Sequence, residues 1–185
     1  MGALIFIGGG ARSGKSALAL ERALRFGPRR VFIATAQAFD DEMRDRIVRH
    51  QDERGEQFDT LEVPLELPET LRQISSCDVV LIDCLTLWVT NLLMAENEDI
   101  QGRMDELLAA IGAVDFPVVL VTNEVGLGIV PMNALARRFR DEVGRAHQKL
   151  SNAASEVYFG ALGVMLRLKP GPVEMVSRPS AVLPS

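Results

Sequence analysis

Gly9-Gly10-Ala11-Arg12-Ser13-Gly14-Lys15-Ser16 fits the pattern G-x-x-x-x-G-K-S, and it restricts what this chain can fold into more than any other segment. The apolar run Ala3–Ile7 precedes it as a strand, and a helical pattern over Lys15–Phe26 follows. Strand, glycine-rich turn and helix start, in that order, make a cradle for phosphate. Glycines let the backbone curl until successive N–H groups point inward, and the helix end adds positive potential. Lys15 then places a cation on the β and γ phosphates, and Ser16 offers a hydroxyl to Mg²⁺. All eight residues of the segment are expected to bind nucleotide. The bland alternative, a glycine-rich turn with a chance lysine, is opposed by the elements on both sides.

Beyond this loop the chain alternates short β-rich runs with longer helical patterns, as βαβ units around a parallel sheet require. Strands are expected at Val31–Thr35, Leu61–Val63, Val79–Asp83 and Val118–Thr122, with a terminal pair at Val157–Phe159 and Val164–Leu168. Helices are expected at Asp40–Arg54, Pro68–Ile74, Leu85–Met94 and Arg103–Ile111. Pro131 opens the longest, to about Ala154, with Met132, Ala136, Phe139, Val143, Ala146 and Leu150 as one continuous core stripe. The expectation is a single α/β domain of P-loop NTPase type over residues 1–169, a mostly parallel sheet flanked by helices. Residues 170–185, with four prolines and three serines, read as a mobile tail without a catalytic role.

Val79-Val80-Leu81-Ile82-Asp83 looks like the second half of a phosphate site, an apolar strand ending in a carboxylate. Lying next to the first strand, it would deliver Asp83 to the metal bound by Ser16. A strand-terminal Asp is often only a cap or turn residue, but beside a phosphate loop the metal role is favoured.

Charge and composition narrow the function further. A net charge of -5 leaves no basic excess with which to neutralise nucleic acid. The two cysteines, Cys77 and Cys84, are too few and wrongly spaced for a metal knuckle or disulfide scaffold, and read as small buried hydrophobes in a reducing compartment. Ala3–Ile7 is strand length and has neither the basic flank nor the cleavage site of an export signal. A cytoplasmic enzyme without membrane insertion is expected.

A phosphate loop does not by itself fix the reaction. Thr122-Asn123-Glu124-Val125 lacks the lysine of the guanine-reading motif of GTPase switches. The segment Thr122–Pro131 joins a strand to the long helix, and it can be a substrate loop or a plain connection. His50 shares a helical face with Met43 and Ile47, so spacing alone favours a half-buried histidine over a reactive one. His147 reads as structural, on the fringe of the long helix and remote from any glycine loop. A kinase of some other small molecule and a non-catalytic nucleotide switch both remain open at this point.

Several uncommon segments appear together in an informative order. They are the phosphate loop, Ile33-Ala34-Thr35-Ala36, Asp40-Asp41-Glu42-Met43 with Arg46-Ile47 and His50, and Asp83-Cys84-Leu85-Thr86 with Val89-Thr90-Asn91-Leu92-Leu93. Val121–Pro131 follows, and then Leu135-Ala136-Arg137, Phe139-Arg140-Asp141, Gly144-Arg145-Ala146 and Asn152-Ala153-Ala154. Together they resemble the bifunctional adenosylcobinamide kinase / adenosylcobinamide-phosphate guanylyltransferase family of cobalamin biosynthesis, over the chain to about Lys169.

The resemblance implies a homotrimer that phosphorylates the aminopropanol hydroxyl of adenosylcobinamide with ATP or GTP. It then implies transfer of GMP from GTP to that phosphate through a guanylylated histidine, giving adenosylcobinamide-GDP. The family motif places that histidine at His50, reversing the reading from spacing. It also implies guanine-nucleotide contacts at Ala34, Thr35, Ala36, Gln51, Asp52, Glu53, Arg54, Glu62 and Asp83. Arg49 stands where some members carry a second histidine.

Overall fold

The computed structural model describes residues 2–37, 57–95 and 99–177. The expected helix Asp40–Arg54, with His50, lies outside the described residues. The strands are β1 (Leu4–Gly9), β2 (Arg30–Ala34), β3 (Asp59–Glu62), β4 (Val79–Asp83), β5 (Val118–Asn123), β6 (Glu156–Ala161), β7 (Val164–Lys169) and β8 (Glu174–Ser177). The helices are α1 (Lys15–Leu24), α2 (Leu67–Gln73), α3 (Leu85–Met94), α4 (Ile100–Ala113) and α5 (Ala134–Ala153). All eight strands form one sheet in the order β3-β2-β4-β5-β1-β6-β7-β8. Pairing is parallel from β3 through β6, and β7 and β8 add antiparallel at one edge.

Because side chains alternate across a strand, the central strands divide the interior in two. Leu4 and Phe6 of β1 face a core that includes Trp88, Met104, Leu107, Val143 and Leu150 from α3, α4 and α5. Ile5 and Ile7 face the other side, where Leu18, Ala19 and Ala23 of α1 cover them. All six residues of β1 are buried, so helices must cover both faces. Trp88 is wholly buried, and its indole N–H donates to the Leu65 carbonyl at 2.9 Å. Cys77 and Cys84 are both buried free thiols, in keeping with their reading as small apolar side chains. None of the described helices is long and apolar enough to cross a membrane.

Three expectations need correction. β4 is not next to β1, because β5 lies between them. The long helix starts at Ala134 rather than Pro131. Asn133 sits before it as its cap, its side-chain oxygen accepting from the Leu135 and Ala136 amides at 2.8 and 3.3 Å. The core stripe is also shorter than expected. Val143, Ala146 and Leu150 are buried, whereas Met132 is 98% exposed and Ala136 and Phe139 are only half covered. Spacing puts these residues on one face, but only Val143, Ala146 and Leu150 are fully buried in the core, with Phe139 packed at its margin. The proline-rich segment after Lys169 contains β8, where Met175 pairs with Leu166 and Arg167 bonds Glu174.

Candidate functional site

The phosphate segment bridges β1 and α1, and its geometry follows from a few backbone demands. Gly14 has φ of 90°, in the left-handed region where a side chain would be strained, and a Cβ there would point into open space. Arg12 takes a similar left-handed turn, with φ of 54°. Gly9 is held against β6: a Cβ there would fall 2.7 Å from the Gly160 carbonyl oxygen. Ser13 is folded inward and buried, and among the described residues its Oγ has no hydrogen-bond partner. Lys15, the first residue of α1, is 9% exposed, and its ammonium donates to the Gly10 carbonyl at 3.1 Å. Ser16 follows half-buried. Among the described residues no side chain caps α1, and no acidic residue lies in its first turn, so its positive pole is not offset there. A helix start of this kind is suited to an anion.

Neighbouring strands end at the same edge. Asp83 pairs in register with Val121 of β5 and with Ala34 of β2, and Ala34 pairs with Glu62 of β3. Thr35 and Ala36 continue from β2 beyond that edge. Val121 in turn pairs with Ile7, so Asp83 lies two strands from β1 and two residues below the level of Gly9. Ala34, Thr35, Ala36, Glu62 and Asp83 thus share the carboxyl edge with the phosphate segment, where ligands bind in open α/β sheets. Gln51, Asp52, Glu53 and Arg54 lie with His50 outside the described residues.

A buried polar network laces this edge together, made of residues that carry no motif of their own. Thr35 Oγ1 donates to the Cys84 carbonyl at 2.7 Å and accepts from the Cys84 amide at 2.9 Å. Asn91, 5% exposed, donates to the carbonyls of Thr35 and Pro64 at 2.8 and 3.0 Å. Asn123 donates to Thr86 Oγ1 at 2.9 Å, and Thr86 Oγ1 lies 3.2 Å from Cys84 Sγ. Burial, then the neighbouring Asp83 carboxylate, push the Cys84 thiol up to about 11. At neutral pH it is a protonated packing group and not a nucleophile.

His147 also belongs to this edge, which corrects its reading as a residue remote from the glycine loop. Its Nε2 lies 2.9 Å from Thr122 Oγ1 and its Nδ1 3.6 Å from Glu124 Oε2. Thr122 pairs with Gly8, and the Glu124 amide donates to the Gly9 carbonyl at 3.0 Å. Burial holds the imidazole below its ordinary 6.5, against the upward pull of Glu124. The helix periodicity located His147 on α5 correctly; that α5 crosses beneath the β5 loop is a tertiary fact.

Among the described residues no group of three or more His, Cys, Asp or Glu side chains could hold a metal. A hydroxyl at Ser16 and a carboxylate at Asp83 fit an ion of the Mg²⁺ kind, which binds through few protein groups and takes phosphate oxygens and water as its other ligands.

The family described as cobinamide kinase / cobinamide phosphate guanyltransferase matches residues 5–168. The bifunctional adenosylcobalamin biosynthesis protein CobP of Pseudomonas aeruginosa is 43% identical over 167 residues, 89% of this chain and 96% of that protein. Its counterpart CobU of Salmonella typhimurium is 41% identical over 181 residues, 90% of this chain and 99% of that one. In fold alone, the chain is similar to the flagellar accessory protein FlaH of Methanocaldococcus jannaschii (TM-score 0.52, 13% identity, 95% of this chain and 78% of that one). It is also similar to the RadB recombinase (TM-score 0.52, 16% identity, 89% and 79%). The chain belongs to the cobinamide kinase / cobinamide phosphate guanyltransferase family, and is an enzyme with both transferase activities.

Proposed function

We propose that this chain phosphorylates adenosylcobinamide with ATP or GTP and then guanylylates the product, working from one phosphate-binding loop. The observation that carries this reading is the uncapped start of α1, with Lys15 at its first position, in a chain that matches the family over nearly its whole length. In the kinase step the acceptor hydroxyl attacks the γ-phosphorus. Lys15 and the loop amides from Gly9 to Ser16 stabilise the charge that develops, and Ser16 and Asp83 would hold a Mg²⁺ ion, which would supply further neutralisation of phosphate charge. In the second step a neutral imidazole nitrogen of His50 attacks the α-phosphorus of GTP, pyrophosphate leaves, and the labile phosphorus–nitrogen bond hands GMP to adenosylcobinamide phosphate.

Ala34, Thr35, Ala36, Gln51, Asp52, Glu53, Arg54, Glu62 and Asp83 form the remaining nucleotide contacts in this reading. The catalytic unit is residues 1–169, and it acts in the cytoplasm as a homotrimer. Incubation with GTP labelled at the α-phosphorus tests the proposal. Covalent label that chases into adenosylcobinamide-GDP supports it, and ATP-dependent phosphorylation without any protein-bound label leaves a simple kinase.

A further inference from the structure

The kinase step needs somewhere to put a proton, and the carboxyl edge offers few acceptors. The described strand ends there carry Glu62 at the end of β3, Asp83 at the end of β4, and Glu124 just past β5. With about 4.8 Å between strands, Glu62 lies about 19 Å across the sheet from β1, Asp83 about 10 Å and Glu124 about 5 Å. Asp83 is already the metal-positioning carboxylate. Glu124, one strand from β1, is tied to the phosphate segment through its amide on the Gly9 carbonyl.

Its carboxylate is also held in place. The Gly126 amide donates to Oε1, and His147 stands 3.6 Å from Oε2 with its other nitrogen on Thr122. The side chain keeps 24% exposure, so a substrate can reach it. A fixed carboxylate, open on one side and beside a phosphate cradle, has the geometry of a proton acceptor.

We infer that Glu124 accepts the proton of the acceptor's hydroxyl group during phosphorylation, and that His147 is the positioning residue for its carboxylate. The hydroxyl oxygen forms a bond to the γ-phosphorus, and the bond from that phosphorus to the β–γ bridging oxygen breaks. ADP leaves with the electron pair, and the hydroxyl proton passes to Glu124. The inference rests on the kinase half of the function proposed above. It implies an asymmetry, because guanylyltransfer starts from an acceptor that is already a phosphate and has no hydroxyl proton to remove.

The test compares wild type with Glu124→Gln, Glu124→Asp and His147→Leu, in phosphorylation of adenosylcobinamide and in guanylyltransfer to supplied adenosylcobinamide phosphate. Wild-type phosphorylation checks the underlying function separately. Glu124→Gln should lower the phosphorylation kcat about 100-fold with the KM for ATP unchanged, and should leave guanylyltransfer within about twofold. Glu124→Asp, which keeps the charge, should fall between. His147→Leu should cost about tenfold in the same kcat, and nothing further when combined with Glu124→Gln. A Glu124→Gln kcat within about threefold of wild type would overturn the inference, as would equal loss of both reactions. Additive losses in the double variant would remove the positioning role from His147.

Discussion

Gly9 and Gly160 face each other across the β1–β6 ladder with no room for a methyl group on either. A Cβ on Gly9 would lie 2.7 Å from the Gly160 carbonyl oxygen, and one on Gly160 would lie 2.9 Å from Ser13 Oγ and 2.6 Å from Met165 Sδ. A Cβ on Gly9 would meet Ser13 Oγ at 2.6 Å and also the Gly160 backbone, whereas one on Gly160 would meet only the side chains of Met165 and Ser13. Gly9→Ala should therefore weaken nucleotide binding more than Gly160→Ala, by about tenfold or more against about threefold, because the loop itself must shift. Titration calorimetry with a non-hydrolysable nucleotide checks the order. Equal affinities in both variants and wild type would show that the loop tolerates displacement.

Asn91 satisfies two buried carbonyls, those of Thr35 and Pro64, and so ties the exit of β2 to the segment before α2. Asn91→Ala orphans both acceptors and should destabilise the fold by about 2–4 kcal/mol. In a chain of this size that lowers the melting temperature by about 5–15 °C. Calorimetric melts of the two proteins measure it, and a shift below about 2 °C would mean that water replaces the amide.

His50→Ala should separate the two reactions. Covalent GMP labelling and guanylyltransfer should disappear, while phosphorylation of adenosylcobinamide, which needs no protein nucleophile, persists. His147 cannot substitute: it is engaged with Thr122 and Glu124 on α5. The label should be lost in acid and survive mild base, as a phosphorus–nitrogen bond does. Label mapped to another residue would remove His50 from the mechanism.

The depressed titration of His147 makes a signed prediction about pH. Burial favours the neutral ring in the folded state, whereas the unfolded chain titrates near 6.5. Below that value the unfolded state binds more protons than the folded one, so stability present above 6.5 is lost as pH falls towards the lower folded value. Denaturant melts at pH 7.5 and pH 5.5 should show a smaller loss for His147→Gln than for wild type. An identical loss in the two proteins would mean that the ring is protonated in the fold.

The local parts of this structure were legible because local chemistry fixes them. Val79–Asp83 and Leu85–Met94 have the bounds that their apolar patterns imply, and the phosphate segment lies between a strand and a helix as its glycines require. What escaped was set by partners distant in the chain. Nothing in Val118–Asn123 says that it inserts between β1 and β4, and nothing at Met132 says that it stands exposed before α5 begins. Thr35, Thr86 and Asn91 look like ordinary polar residues until their partners are placed.

The insertion of β5 also orders events in time. The phosphate segment is made first and Asp83 next, but the strand that joins their two halves of the sheet comes third along the chain. Until residue 123 has been synthesised and has paired on both sides, β1 and β4 have no common neighbour and the cradle has no fixed relation to its metal-side carboxylate. A nascent chain stalled before β5 should therefore not retain nucleotide, so the onset of binding marks the moment at which the sheet closes over its centre.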